Sequence, residues 1–153
     1  EPEKGEMGMS VRKRAAGLVT GFVTVAALAI PLTPGTAYAD LWWKDPGTCT
    51  NHKTATQRIV ARRIVEIRYG DCRGRQHGWA RLRGFDSDAP DYIRFEVDLN
   101  GDRSPDTHSV RRARDRNYTA GYPTSRDSRR AFRACFVRSR SEKCNSRNAT
   151  RWW

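Results

Sequence analysis

The chain is short of most features that point quickly to a chemistry. It has three histidines and four cysteines in 153 residues. No cysteines stand in a Cys-x-x-Cys spacing and no histidines cluster, which argues against a structural zinc site. His-Glu-x-x-His, Gly-x-Ser-x-Gly and phosphate-loop patterns are missing, so the common signatures of zinc proteases, serine hydrolases and nucleotide-binding loops are absent. Internal repeats are missing too. Negative charge is scarce, with 17 Asp+Glu against 29 Lys+Arg. Lysine is scarce beyond residue 40, where only Lys44, Lys53 and Lys143 occur. Long apolar runs are absent with one exception, near the N-terminus.

That exception has the layout of a secretory signal. Arg12, Lys13 and Arg14 form a positive cluster, and an apolar stretch follows from Ala15 to Ile30. Pro31, Pro34 and Gly35 end it, and Ala37-Tyr38-Ala39 offers the small-x-small pattern of a cleavage site. A spanning helix needs about 20 predominantly apolar residues. This run is no longer than that and contains Thr and Gly, so a cleaved signal is the better reading. Residues 1–39 are therefore expected to be upstream residues and a cleavable signal-peptide helix, with Met9 as the natural start. Residues 40–153 are expected to form a single secreted domain with irregular, Trp-containing ends.

This mature portion carries 25 Lys+Arg and 14 Asp+Glu, a net charge of +11. Such a balance favours acidic partners: nucleic acid, an anionic lipid surface, or anionic cell-wall polymers. It also serves solubility alone. All four cysteines lie in this portion, and an even count in an oxidising compartment reads as two disulfides. Four cysteines allow three connectivities. Pairing the nearest in sequence gives Cys49–Cys72 and Cys135–Cys144.

Alternation of apolar and polar residues marks the strands. Ile64 to Tyr69 places Val65, Ile67 and Tyr69 on one face. Trp79 to Phe85 points Ala80 and Leu82 one way, with Trp79, Arg81 and Arg83 the other. Ile93 to Leu99 gathers Phe95, Val97 and Leu99, and Ala131 to Val137 gathers Phe132, Ala134 and Phe136. Thr107 to Arg112 is expected to pair back as a short strand. Asn51 to Ala61 suits a short helix or a strand, and the pattern does not decide. Tyr118 to Arg130 reads as a loop, and Arg138 to Trp153 as a polar tail. The sum is an all-β fold, a small antiparallel sandwich or open barrel stapled by two disulfides.

With these segments in view, the chain resembles the domain of unknown function (DUF) 2690 family of small secreted actinobacterial proteins. The resemblance rests on Lys44-Asp45-Pro46 leading to Cys49, and on Val65-Glu66-Ile67-Arg68-Tyr69 leading to Cys72. Gly78-Trp79-Ala80-Arg81-Leu82, Tyr118-Thr119-Ala120-Gly121-Tyr122 and Arg133-Ala134-Cys135 complete it. It spans Lys44 to about Val137 and implies export and a small compact fold, but no activity. Family members often carry a further Cys before the Asp-Pro turn; here Cys144 follows the last strand instead, which supports a local bridge to Cys135.

Three sets of residues are candidates for function. Trp79 with Arg81 and Arg83 could stack on a ring and hold an anion, or Trp79 could simply be a packed aromatic crossed by arginine stems. Asp98, Asn100, Asp102, Ser104 and Asp106 place oxygens at alternate positions, as calcium loops do, with Asp98, Asn100, Asp102 and Asp106 the candidate ligands. Arg103 stands where such loops have glycine, which favours an Asn-Gly hairpin with solvated acids over calcium. The Trp42-Trp43 and Trp152-Trp153 pairs suit a lipid interface, or packing on each other. His52, His77 and His108 show no spacing that assembles a general acid and base, and Glu66 and Glu96 suit cross-strand ion pairs with arginine.

The reading that follows is a secreted, cationic, non-enzymatic domain that binds anionic polymers and needs no small-molecule cofactor, calcium aside. The alternatives are a secreted ribonuclease or toxin-like hydrolase, and a protease inhibitor presenting the Gly121 to Arg130 loop.

Overall fold

The computed structural model describes residues 41–153. The expected export signal lies outside the described residues. Seven strands run β1 (Thr50–Val60), β2 (Arg63–Cys72), β3 (Arg75–Arg83), β4 (Tyr92–Asp98), β5 (Thr107–Arg112), β6 (Tyr122–Pro123) and β7 (Ala131–Val137). They form two antiparallel sheets, a four-stranded one in the order β1-β2-β3-β6 and a three-stranded one in the order β5-β4-β7. The all-β, two-disulfide fold is thus as the alternation of the sequence predicts.

The strand faces follow from the period of two. Val65, Ile67, Ala80 and Leu82 of the first sheet and Ile93, Phe95, Val97, Phe132, Ala134 and Phe136 of the second make one core. Tyr122 joins it fully buried, and Trp42 closes its edge, 4.9 Å from the Tyr122 ring and 6.1 Å from Phe95. Residues 50–60, which the sequence leaves undecided, become β1 by pairing with β2. The turns between β1 and β2 and between β2 and β3 are two residues long, Ala61-Arg62 and Arg73-Gly74. All four residues have positive φ, the backbone that matches the twist of a tight hairpin. Where β1 begins, its register against β2 shifts between Thr50 and Lys53. Gly70 makes room for that irregularity: a Cβ there would lie 2.7 Å from the Thr50 carbonyl oxygen and 3.0 Å from the His52 ring.

Two segments differ from the sequence expectation. Part of the Tyr118 to Arg130 stretch is not loop. It runs along β3, with Thr119 N donating to the Ala80 carbonyl and β6 continuing the ladder at His77 and Gly78. The C-terminal end is not an irregular tail either. Thr150 N donates to the Ala134 carbonyl, and Trp153 exchanges two backbone hydrogen bonds with Phe132, so residues 148–153 extend the second sheet beyond β7. Neither segment carries a run of alternating apolar residues, so both are placed by backbone pairing rather than by pattern. The tryptophans pack on the domain and not on each other. Trp153 stacks on Tyr69 at 5.3 Å, Trp43 lies in the cluster around the first disulfide, and Trp152 packs under Arg133.

Cys49–Cys72 ties the lead-in to the end of β2, and Cys135–Cys144 ties β7 to the segment that follows it. Both pairs are nearest neighbours in sequence, and no free cysteine remains. Two disulfides are compatible with an extracellular protein.

The second sheet buries charge on its outer face. Glu96 is fully buried and holds Arg94 at 2.7 Å and Arg133 at 2.6 Å. Removing one partner of such a buried pair strands the other. Glu96→Ala is expected to lower the unfolding free energy by about 3–5 kcal/mol in urea titration. A loss below about 1 kcal/mol, the size of an exposed pair, would contradict this assignment.

Candidate basic site on the outer face of the first sheet

The alternation that turns Val65 and Ile67 inward turns Glu66 and Arg68 outward. On β3 it turns Trp79, Arg81 and Arg83 to the same outer face. The β2–β3 register sets Glu66 opposite Arg81, Arg68 opposite Trp79, and Ile64 opposite Arg83. Glu66, 1% exposed, accepts from Arg81 Nε at 2.6 Å and lies 3.1 Å from Arg83 Nη2. Its two oxygens therefore fix two guanidiniums. Arg68 is anchored differently, donating to Thr54 Oγ1 at 2.7 Å. Three guanidiniums thus gather near one carboxylate, and two of them are bonded to it. Desolvation lowers the Arg68 pKa first, the Arg81 charge adds to that, Glu66 opposes it, and Arg83 lowers it further. An anion placed here would relieve that repulsion.

A shallow pocket of about 180 Å³ opens beside this cluster, lined among others by His52, Arg68, Arg81, Asn117 and Tyr118. Trp79 forms part of its wall but is only 3% exposed. It packs on the Cys49–Cys72 bridge with Trp43 and Tyr118 and meets the His52 ring edge-on at 5.2 Å. Trp79 therefore shapes the pocket and offers no open face for stacking. Tyr118 donates its hydroxyl to Asp45 Oδ1 at 2.8 Å, and the Arg116 guanidinium lies 4.9 Å from its ring centroid. Of the residues singled out in the sequence, Arg81 and Arg83 meet on one carboxylate. Arg68, His52 and Tyr118 were not singled out for this site. The outward phase of Arg68 on β2 is legible in the alternation, but its juxtaposition with β3 depends on register.

The histidines lie on three different strands. His52 is exposed on β1. His77 is buried on β3, with Nδ1 2.9 Å from the Arg75 carbonyl. Burial lowers its pKa, the hydrogen bond to the Arg75 carbonyl opposes that, and the Arg75 charge lowers it further. His108 is exposed on β5 opposite Glu96, whose carboxylate is already held by two arginines.

The Asp98 to Asp106 segment closes the β4–β5 hairpin. Asp98 accepts from the backbone N–H of Asn100, Gly101 and Arg103, and from the Arg103 guanidinium at 3.0 Å. Asn100 Oδ1 accepts from Asp102 N, Asp102 Oδ1 from Ser104 N, and Asp106 Oδ2 from Leu99 N. Arg103 adopts a φ of 61°, the left-handed backbone that glycine supplies in related loops. The turn is therefore wound by its own side chains, and Arg103 brings the compensating charge. Among the described residues, no group of three or more His, Cys, Asp or Glu side chains gathers as a metal site.

No family model, curated protein or solved structure matches this chain.

Burial alone would raise the Asp98 carboxyl, but the N–H groups of Gly101 and Arg103, the Arg103 guanidinium and Asn100 N outweigh it and hold it below the ordinary carboxylate range. A carboxyl depressed in the folded state adds stability that is fully present above its unfolded value, near pH ~4, and is lost as pH falls through the folded value. Urea unfolding at stepped pH is expected to show a steeper acid loss for the native protein than for Asp98→Asn. Identical acid slopes would contradict this.

Proposed function

We propose that this is a secreted, non-enzymatic domain that binds anionic polymers at a cell surface or in the medium through the outer face of β2 and β3. The motif order from Lys44-Asp45-Pro46 to Arg133-Ala134-Cys135 makes membership of the DUF 2690 family part of the same proposal. One observation carries the reading. Arg81 and Arg83 share a single buried carboxylate and Arg68 stands beside them, held by Thr54, so the face holds a fixed surplus of positive charge. Buried Glu66 pre-sets the direction of two guanidiniums, which lowers the ordering cost when an anion binds. Guanidinium groups suit carboxylate, sulfate and phosphate oxygens because their N–H groups form a planar fork. Two disulfides support a working place outside the cytoplasm.

A hydrolase reading draws on His52, which shares the pocket with Arg68 and Arg81. Against it, Glu66 is committed to two arginines and has little exposed surface from which to take a proton.

Retention of the purified domain on an immobilised acidic polysaccharide is expected to fall steadily with salt, since exposed charges are screened over about 8–10 Å near physiological ionic strength. The double variant Arg68→Ala/Arg83→Ala is expected to elute well before Arg114→Ala/Arg126→Ala, which removes equal charge elsewhere. Co-elution of the two would show that only net charge matters and would overturn the site. Salt-independent retention would overturn the electrostatic reading, and hydrolysis of RNA by the pure domain the non-enzymatic one.

A further inference from the structure

A second, larger groove lies elsewhere, between β1 and the C-terminal segment that runs along β7. It encloses about 740 Å³ and is lined by Gln57, Arg58, Arg133, Asn145, Arg151 and Trp152 together with small neighbours. No carboxylate lines it. Three guanidiniums therefore line the groove on a wall otherwise made of amides, hydroxyls, one alanine and one indole.

Two of those arginines are held in place. Arg58 donates to the carbonyls of Ser146, at 2.5 Å, and Ala149, at 2.8 Å, which ties β1 to the opposite wall. Arg133 donates through Nε at 3.1 Å and Nη2 at 2.6 Å to Glu96, and its guanidinium lies 4.5 Å from the centroid of the Trp152 ring. A fully buried carboxylate thus fixes an arginine, and the arginine fixes an indole at the groove. Thr150 N bonds to the Ala134 carbonyl, so the backbone carrying Arg151 and Trp152 is held against β7. The Cys135–Cys144 bridge anchors the start of the same wall. Arg151 is exposed and takes part in no ion pair among the described residues.

The geometry points to a binding site for an acidic oligosaccharide, a chain of carboxylated or sulfated sugars. The assignment is independent of the β2–β3 face. An indole offers an apolar plane to the C–H side of a sugar ring, while neutral amides and hydroxyls match its hydroxyls. Guanidiniums match its acidic substituents. A single-stranded nucleic acid would instead call for several aromatic platforms, one for each of successive bases. This groove has only Trp152. A pre-fixed indole and two pre-fixed arginines lower the entropy lost on binding.

The test is isothermal titration of the full domain with a defined oligouronate, with a neutral oligosaccharide of equal length and a single-stranded oligonucleotide as comparisons. Saturable binding of the oligouronate is expected, weaker for the neutral sugar. Affinity is expected to fall about tenfold or more in Trp152→Ala and to fall again on adding Arg151→Gln. It should survive in Arg68→Ala/Arg83→Ala, which separates this groove from the other face. Arg151→Gln alone breaks no ion pair among the described residues, so it keeps the test valid if Trp152→Ala does not fold. No binding of the oligouronate, binding indifferent to Arg151→Gln, or tighter binding of the oligonucleotide through the same residues would overturn the assignment.

Discussion

The constraint on which this domain rests is the burial of carboxylates within an arginine-rich chain. Glu66, Asp91, Glu96 and Asp98 are each at most 1% exposed. An isolated buried carboxylate is too costly to persist, so each must be paired and hydrogen-bonded. Here three of the four hold two guanidiniums apiece: Glu66 takes Arg81 and Arg83, Asp91 takes Arg63 and Arg138, and Glu96 takes Arg94 and Arg133. Asp98 takes Arg103 and three backbone N–H groups. These acids add charged links between elements that the apolar core also joins. Asp91, at the entry to β4, reaches Arg63 on β2 and Arg138 just past β7.

The same arrangement produces the surface chemistry. Pairing two cations with one anion leaves each cluster net positive, and the buried acid sets where the cations point. Positive charge is therefore fixed in position, not spread over flexible stems. On the β2–β3 face the surplus grows through Arg68. At the groove beside β1 the same logic passes from Glu96 through Arg133 to Trp152. The two faces differ in their neighbours: the first is a charge cluster with its aromatic buried beneath, the second a groove with its aromatic at the wall.

The fold was readable where a strand buries one face of alternating residues. β5 and β7 coincide with their sequence boundaries, and β2, β3 and β4 differ only at their ends. The disulfides followed from sequence proximity. Legibility failed where pairing alone makes a strand. β1 is exposed along much of its length and shows no alternation, β6 is two residues long, and the Ala149 to Trp153 segment gains its structure from β7. The sites were half legible for the same reason. Outward arginines on β3 are visible in the pattern, but their sharing of Glu66 requires the β2–β3 register. Trp79 attracts notice as an aromatic between polar residues, yet the disulfide beneath it and Tyr118 beside it, far away in sequence, decide that it is buried.

If buried acids pre-aim particular arginines at anions, those arginines respond to an anion as a set. The most direct measurement is an NMR titration of the arginine Nε–Hε signals with inorganic sulfate at low ionic strength. Arg68, Arg81 and Arg83 are expected to shift together and saturate, while exposed Arg114 and Arg126 drift weakly and without saturation. Equal, unsaturated shifts across all arginines would contradict this.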